Sequence, residues 1–174
     1  MVPLELLGVR MEVIGNVPVV FLREREGLRR LLPIYVGVPE ASSIQLAVEG
    51  REAPRPLTHD LMVNVLGALG AVLDKVVITD VDDGTFFAEL HLQTRTGAVT
   101  VSSRPSDGIA LAVRAGANIY CEPDVLDEAG RVADIEEVDE QPSGPAPVSE
   151  ETQRELLGEF RDFLEGINPE DFQA

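Results

Sequence analysis

The chain has 174 residues and 44% of them are hydrophobic, enough for one domain with a real core and too many for wholesale disorder. Its formal net charge is −17, so it does not draw in a polyanion from a distance, and any nucleic-acid contact must come from a local arginine cluster. The single cysteine, Cys121, excludes an internal disulfide and a cysteine-based zinc site, and the lack of a basic-then-apolar leader or of a run near the ~20 residues that span a bilayer indicates a soluble cytoplasmic protein with no membrane partner.

Residues 4–14 and 17–23 read as a hairpin, with Gly15-Asn16 as the turn signal. Glu24 to Arg30 is a charged loop, and 31–37 a short buried strand. Pro39 opens a helix to about Val48, with Ala41, Ile44 and Val48 on one face and Gly50 as its stop. Arg51 to Leu57 is a Pro/Arg loop. Thr58 is then the expected N-cap of a helix through Leu69, in which Leu61, Met62, Val65, Leu66 and Leu69 follow the i, i+3, i+4 pattern.

Strands follow at 76–81, 85–96 and 98–102, with turns at Asp82-Asp83-Gly84 and Thr96-Gly97. In the second, Phe86, Ala88, Leu90 and Leu92 alternate with Phe87, Glu89, His91 and Gln93, so one face is buried and the other mostly polar. The helix from Pro105 to Ala115 is apolar almost all round, which predicts a central position. A short strand at 118–121 and a short helix at 123–129 complete the series. This order indicates an α+β domain over residues 1–133, a mixed or antiparallel sheet packed with helices. With no Trp and 5% aromatic residues, its core is built from Val, Leu, Ile and Ala.

Beyond it, residues 134–149 form an acidic Pro/Gly-rich linker. Residues 150–174 form an amphipathic helix, with Leu156, Leu157, Phe160, Phe163, Leu164 and Ile167 in one stripe. Residues 134–174 hold 13 Asp/Glu against Arg154 and Arg161, so most of the negative charge is here. A helix this short is marginal alone and is expected to dock on its own domain, a second copy or a partner.

Two segments carry nearly the same chemistry: Arg55-Pro56-Leu57-Thr58-His59-Asp60 and Ser103-Arg104-Pro105-Ser106-Asp107. Each sets a guanidinium, a proline, a hydroxyl and a carboxylate at the mouth of a helix, where free N–H groups favour an anion. Side by side, the two mouths would make one polar pocket with His59 inside it. At such a position a histidine either bonds the preceding loop or works as general acid/base or phosphate donor. Asp60 and Asp107 either complement the helix dipoles or pair with Arg55 and Arg104, which could equally clamp a phosphate. Asp80, Asp82 and Asp83 lack calcium-loop spacing.

The run Leu32-Pro33-Ile34-Tyr35-Val36-Gly37 with Glu40-Ala41, then Arg55 to Leu61, then Arg104 to Asp107 with Ala110-Leu111-Ala112-Val113-Arg114, resembles the bifunctional nuclease family across roughly residues 4–130. The family's pattern usually has Asp two residues before the second Arg and Ala after its Asp, where this chain has Ser102 and Gly108. The resemblance implies DNase or RNase activity. His59, Asp60, Asp107 and Glu40 are then the candidate catalytic residues, and Arg55, Thr58, Arg104, Ser106 and Arg114 the candidate substrate-binding ones. A divalent Mg or Mn cofactor, a DNA or RNA partner and a homo-oligomer accompany this expectation. The alternative is a non-catalytic module that binds an anion or a partner through the same Arg/His/Asp pocket.

Overall fold

The computed structural model describes residues 1–12, 15–51 and 53–132. The expected linker at 134–149 and helix at 150–174 lie outside them. The described residues form seven strands and four helices in the order β1 (Val2–Glu12), β2 (Val17–Glu24), β3 (Leu31–Tyr35), α1 (Val38–Val48), α2 (Thr58–Ala68), β4 (Val72–Asp82), β5 (Thr85–Thr94), β6 (Gly97–Ser103), α3 (Pro105–Ala115), β7 (Asn118–Cys121) and α4 (Pro123–Ala129). The α+β expectation holds.

The strands form one mixed sheet in the order β3-β2-β1-β7-β4-β5-β6. Only β4 and β7 run parallel. All other pairs are antiparallel. The β4–β5 hairpin closes through Asp83 (φ 47°) and Gly84 (φ 76°), two consecutive left-handed residues whose twist matches that of the strands. The sheet curls, because α4 touches both β4 and the distant edge strand β3. Leu31 bridges to Arg131 behind α4, and Arg30 ties Glu24 to Asp127 at 3.1 and 2.6 Å.

Alternation in β5 places Ala88, Leu90 and Leu92 in the core, as the pattern predicts. Helix α3 lies across this face and buries Ile109, Ala110, Leu111 and Ala112. Gly108 lets it approach: a Cβ there would come within 2.8 Å of Val76 Cγ1. Helix α1 packs beside α3 over β1 and β2 and buries Ala41 and Ile44. Helix α2 packs on α3 and the start of β4, and none of its residues is fully buried. The expected N-cap, Thr58, is instead the first helical residue, and Leu57 is the N-cap. The capping work falls to Asp60, whose carboxylate accepts the Leu57 N–H at 2.8 Å.

Candidate functional site

The first halves of α1 and α2 and the length of α3 converge on one chain of polar contacts. Each of the three helices begins after extended backbone at Gly37, Leu57 and Arg104, and two of them carry proline in the first turn. Proline fixes φ for helix entry and lacks the N–H that would otherwise be orphaned there. These starts aim Glu40, Asp60 and Asp107, each in a first turn, toward the junction.

At one end, Arg104 Nη2 donates to Glu40 Oε1 at 2.8 Å. The same guanidinium holds Asp107 in a fork, Nε to Oδ2 at 2.8 Å and Nη2 to Oδ1 at 3.1 Å. Asp107 Oδ1 also meets His59 Nε2 at 3.2 Å. His59 Nδ1 lies 2.9 Å from Ser43 Oγ. The Ser43 oxygen accepts from Arg114 Nη2 at 3.0 Å, and its carbonyl accepts from the same atom at 3.1 Å. Arg114 finally donates through Nε to Asp60 Oδ1 at 2.5 Å.

Three carboxylates and two guanidinium groups therefore alternate around one imidazole. Hydrogen bonds from its own backbone N–H and from Arg104 hold Glu40 below the usual carboxylate range. Arg114, then the Leu57 N–H, lower Asp60. Burial pushes Asp107 upward, but the hydrogen bonds from Arg104 and His59 outweigh it and leave its carboxyl lowered. Asp107 and then Glu40 hold the proton on Arg104 more tightly still. An ionised Asp107 only accepts, so Nε2 carries hydrogen. Ser43 accepts from Arg114, which frees its hydroxyl hydrogen for Nδ1 of a neutral ring.

Ser43, His59 and Asp107 share the connectivity of a hydroxyl–imidazole–carboxylate triad. Yet Ser43 is 6% exposed, and its oxygen already serves Arg114. It locks the ring in place and is not open to a substrate. Sequence reasoning passed over Ser43. Its signal was a hydroxyl on the buried face of α1, between Ala41 and Ile44, where an aliphatic residue would be expected.

The two helix mouths touch through His59 and Asp107 and line different cavities among the described residues. Arg55, Leu57, Asp60 and Arg114 line a cavity of about 480 Å³ with the end of α1. Arg104 and Ser106 line a separate one of about 250 Å³ against Tyr35, Val36 and the β4–β5 turn. His59 lines neither of them. Partners differ as well. Asp107 pairs with Arg104 as one expectation had it, whereas Asp60 pairs with Arg114, not Arg55. Arg55 is exposed and makes no hydrogen bond or ion pair to a described residue. Thr58 is exposed at the start of α2, and Ser106 is buried.

Among the described residues, no three His, Cys, Asp or Glu side chains are grouped to hold a metal ion. Glu40 and Asp107 face Arg104 instead of each other, so a divalent cation would have to displace a guanidinium. The donor set as it stands does not fit a resident Mg or Mn ion.

The bifunctional nuclease domain model matches residues 20–134, a span that contains the whole network. The chain belongs to the bifunctional nuclease domain family. It is also 40% identical over 168 residues to an uncharacterized protein of Mycobacterium tuberculosis, found in two strains, an alignment that covers 97% of this chain and 96% of the relative. In this family member, Glu40, His59, Asp60, Arg104, Asp107 and Arg114 form one connected set, and Arg55, Thr58 and Ser106 stand outside it. No described helix is long and apolar enough to cross a membrane.

Proposed function

We propose that this domain hydrolyses phosphodiester bonds of DNA or RNA at the Arg104–Asp107–His59 end of the network. The observation that carries this reading is Arg104. Its side chain is 66% exposed, yet two carboxylates fix it in place. Nη1 makes no hydrogen bond to a described residue and is free to donate to a phosphate oxygen. Such a fixed donor stabilises charge that develops on phosphorus-bound oxygen without reorganising.

In the proposed reaction, water bonds to phosphorus as the P–O ester bond breaks. The proton from water goes to His59 Nδ1 once the Ser43 hydroxyl swings away from that nitrogen, and the imidazolium then gives a proton to the leaving oxygen. Asp107 orients the ring through Nε2 and stabilises the imidazolium formed. Arg55, exposed beside the larger cavity, adds a second phosphate contact outside the network.

A specific observation favours the second reading, a non-catalytic anion-binding module. His59 is only 14% exposed, and both its ring nitrogens are occupied. The deciding experiment assays purified protein on labelled single- and double-stranded DNA and RNA, with and without Mg²⁺ or Mn²⁺. For a nuclease, His59→Ala lowers turnover by about 10²-fold or more, while Arg104→Ala weakens binding and flattens its salt dependence. Cleavage by wild type no greater than by a matched His59→Ala preparation refutes catalysis and leaves the binding module.

A further inference from the structure

The cavity of about 250 Å³ beside Arg104 lies where the end of β3, the β4–β5 turn and the start of α3 come together. Most of its lining is apolar or bare backbone: Ile34, Val36, Phe86 and Pro105, with Gly37 and Gly84. A Cβ at Gly37 would collide with the Glu40 carboxylate, so the chain stays bare there. Phe86 shares the inward face of β5 with Ala88, Leu90 and Leu92 and packs against the core, yet it is only half-buried. The accessible part of its ring belongs to the cavity it lines.

Ser106 adds a polar group that the fold does not use. It is 7% exposed, and its hydroxyl makes no hydrogen bond to a described residue. Among the described residues, no fully enclosed side-chain oxygen lacks a partner, so the Ser106 oxygen opens on the cavity that the residue lines. A nearly buried hydroxyl of this kind favours a ligand with a hydrogen-bonding edge. Size and charge narrow the choice. The volume falls below the ~300 Å³ at which pockets for drug-sized molecules begin, so a single ring system fits and a base pair does not. Among the described residues, Arg104 is the one charged side chain in the lining. A phosphate therefore belongs at its free Nη1, and the apolar interior takes an uncharged, planar group. A planar ring with a hydrogen-bonding edge next to a phosphate is a nucleobase.

We propose that this cavity is a nucleobase seat: one unstacked base lies on the Phe86 ring with its edge on the Ser106 hydroxyl, while the neighbouring phosphate rests on Arg104. The seat deepens the nucleic-acid reading and rests on it. It sets the register of the strand, because the phosphate next to the seated base is the one held at the Arg104–Asp107–His59 end of the network. Stacking on an aromatic ring tolerates every base, and a hydroxyl both donates and accepts, so the seat positions the strand without reading its sequence.

The test titrates the full chain with two labelled single strands of equal length, one carrying all its bases and one abasic throughout. Wild type should bind the base-bearing strand about fivefold or more tighter, the scale of one base stacked on an aromatic ring. Phe86→Leu, which keeps an apolar contact with the core and loses the ring, should bind the two strands nearly alike. Ser106→Ala should weaken the base-bearing strand about threefold with an unchanged thermal melt, since the hydroxyl holds nothing in the fold. Arg104→Ala should weaken both strands by the same factor. If Phe86→Leu loses the wild-type far-UV spectrum, Ser106→Ala decides alone. Equal binding of the two strands by wild type overturns the seat and leaves the phosphate contact standing. A preference for bases that survives in folded Phe86→Leu and in Ser106→Ala overturns it as well. A wild-type chain that binds neither strand refutes the nucleic-acid reading itself, and the seat falls with it.

Discussion

Helices α2 and α3 begin with nearly the same residues and finish in opposite surroundings. Both follow an Arg-Pro segment and carry an Asp in the first turn. Helix α3 buries seven of its eleven residues and α2 none. The difference lies in the residues after the mouth. Gly108, Ala110 and Ala112 make α3 slim enough to lie directly on the sheet. Helix α2 carries bulkier side chains on both sides and settles as an outer layer on α3. Shared local chemistry at a helix start therefore says little about depth, which the packing volume of the next two turns decides.

The arginines show this contrast most strongly. Arg114 is 10% exposed and holds Asp60, Ser43 and the Ala110 carbonyl at once. Arg114→Ala leaves Asp60 Oδ1 and the buried Ser43 oxygen without the guanidinium that donates to them, and should cost about 2 kcal/mol in urea unfolding. Arg55→Ala should change stability by less than about 0.5 kcal/mol while weakening any anion binding. Equal losses in the two variants would mean that Arg55 belongs to the folded network after all.

Glycine gives a smaller contrast of opposite sign. An alanine methyl at Gly67 of α2 meets nothing within 4 Å, so Gly67→Ala should stabilise by about 0.5–1 kcal/mol through helix propensity alone. The same change at Gly108 drives the methyl against Val76, a stiff side chain in a buried strand. Gly108→Ala should destabilise by about 1 kcal/mol despite the propensity gain. Thermal melts of the two variants should move in opposite directions, and a stabilised Gly108→Ala would show that α3 has room to shift.

Acid titration should separate the two helix starts least. Asp60 and Asp107 both have folded-state carboxyls below their ordinary values. A group of this kind stabilises the fold above its unfolded pKa, near 3.9, and that contribution disappears as pH falls through the lower folded value. Stability should therefore be steady near neutral pH and decline below about pH 4. Asp60→Asn and Asp107→Asn should each make that acid limb shallower. Parallel acid limbs in wild type and both variants would show that other carboxylates govern it.

Much of the fold was legible along the chain. The alternation in β5, the all-round apolarity of α3 and the turn residues at Asp83-Gly84 each act within a few residues, where sterics and periodicity decide the outcome. Element ends were less legible. Strand β4 starts at Val72, ahead of the expected 76, because pairing with β5 carries it through Asp74 and Lys75, residues of weak strand character. Thr58 lost the N-cap position to Leu57 because the carboxylate of Asp60 already served that helix end.

The candidate side chains could be chosen from sequence because Arg, His and Asp at helix starts are chemically conspicuous wherever the chain goes. Their connections could not. That Asp60 takes Arg114 instead of its neighbour Arg55, that Ser43 joins the set, and that His59 joins Ser43 to Asp107 all depend on contacts between residues 16 to 71 positions apart. Such pairings are set by the crossing of α1, α2 and α3 over one curled sheet. Tertiary structure decided them because an ion pair takes the partner that packing brings within about 3 Å, whatever the separation along the chain.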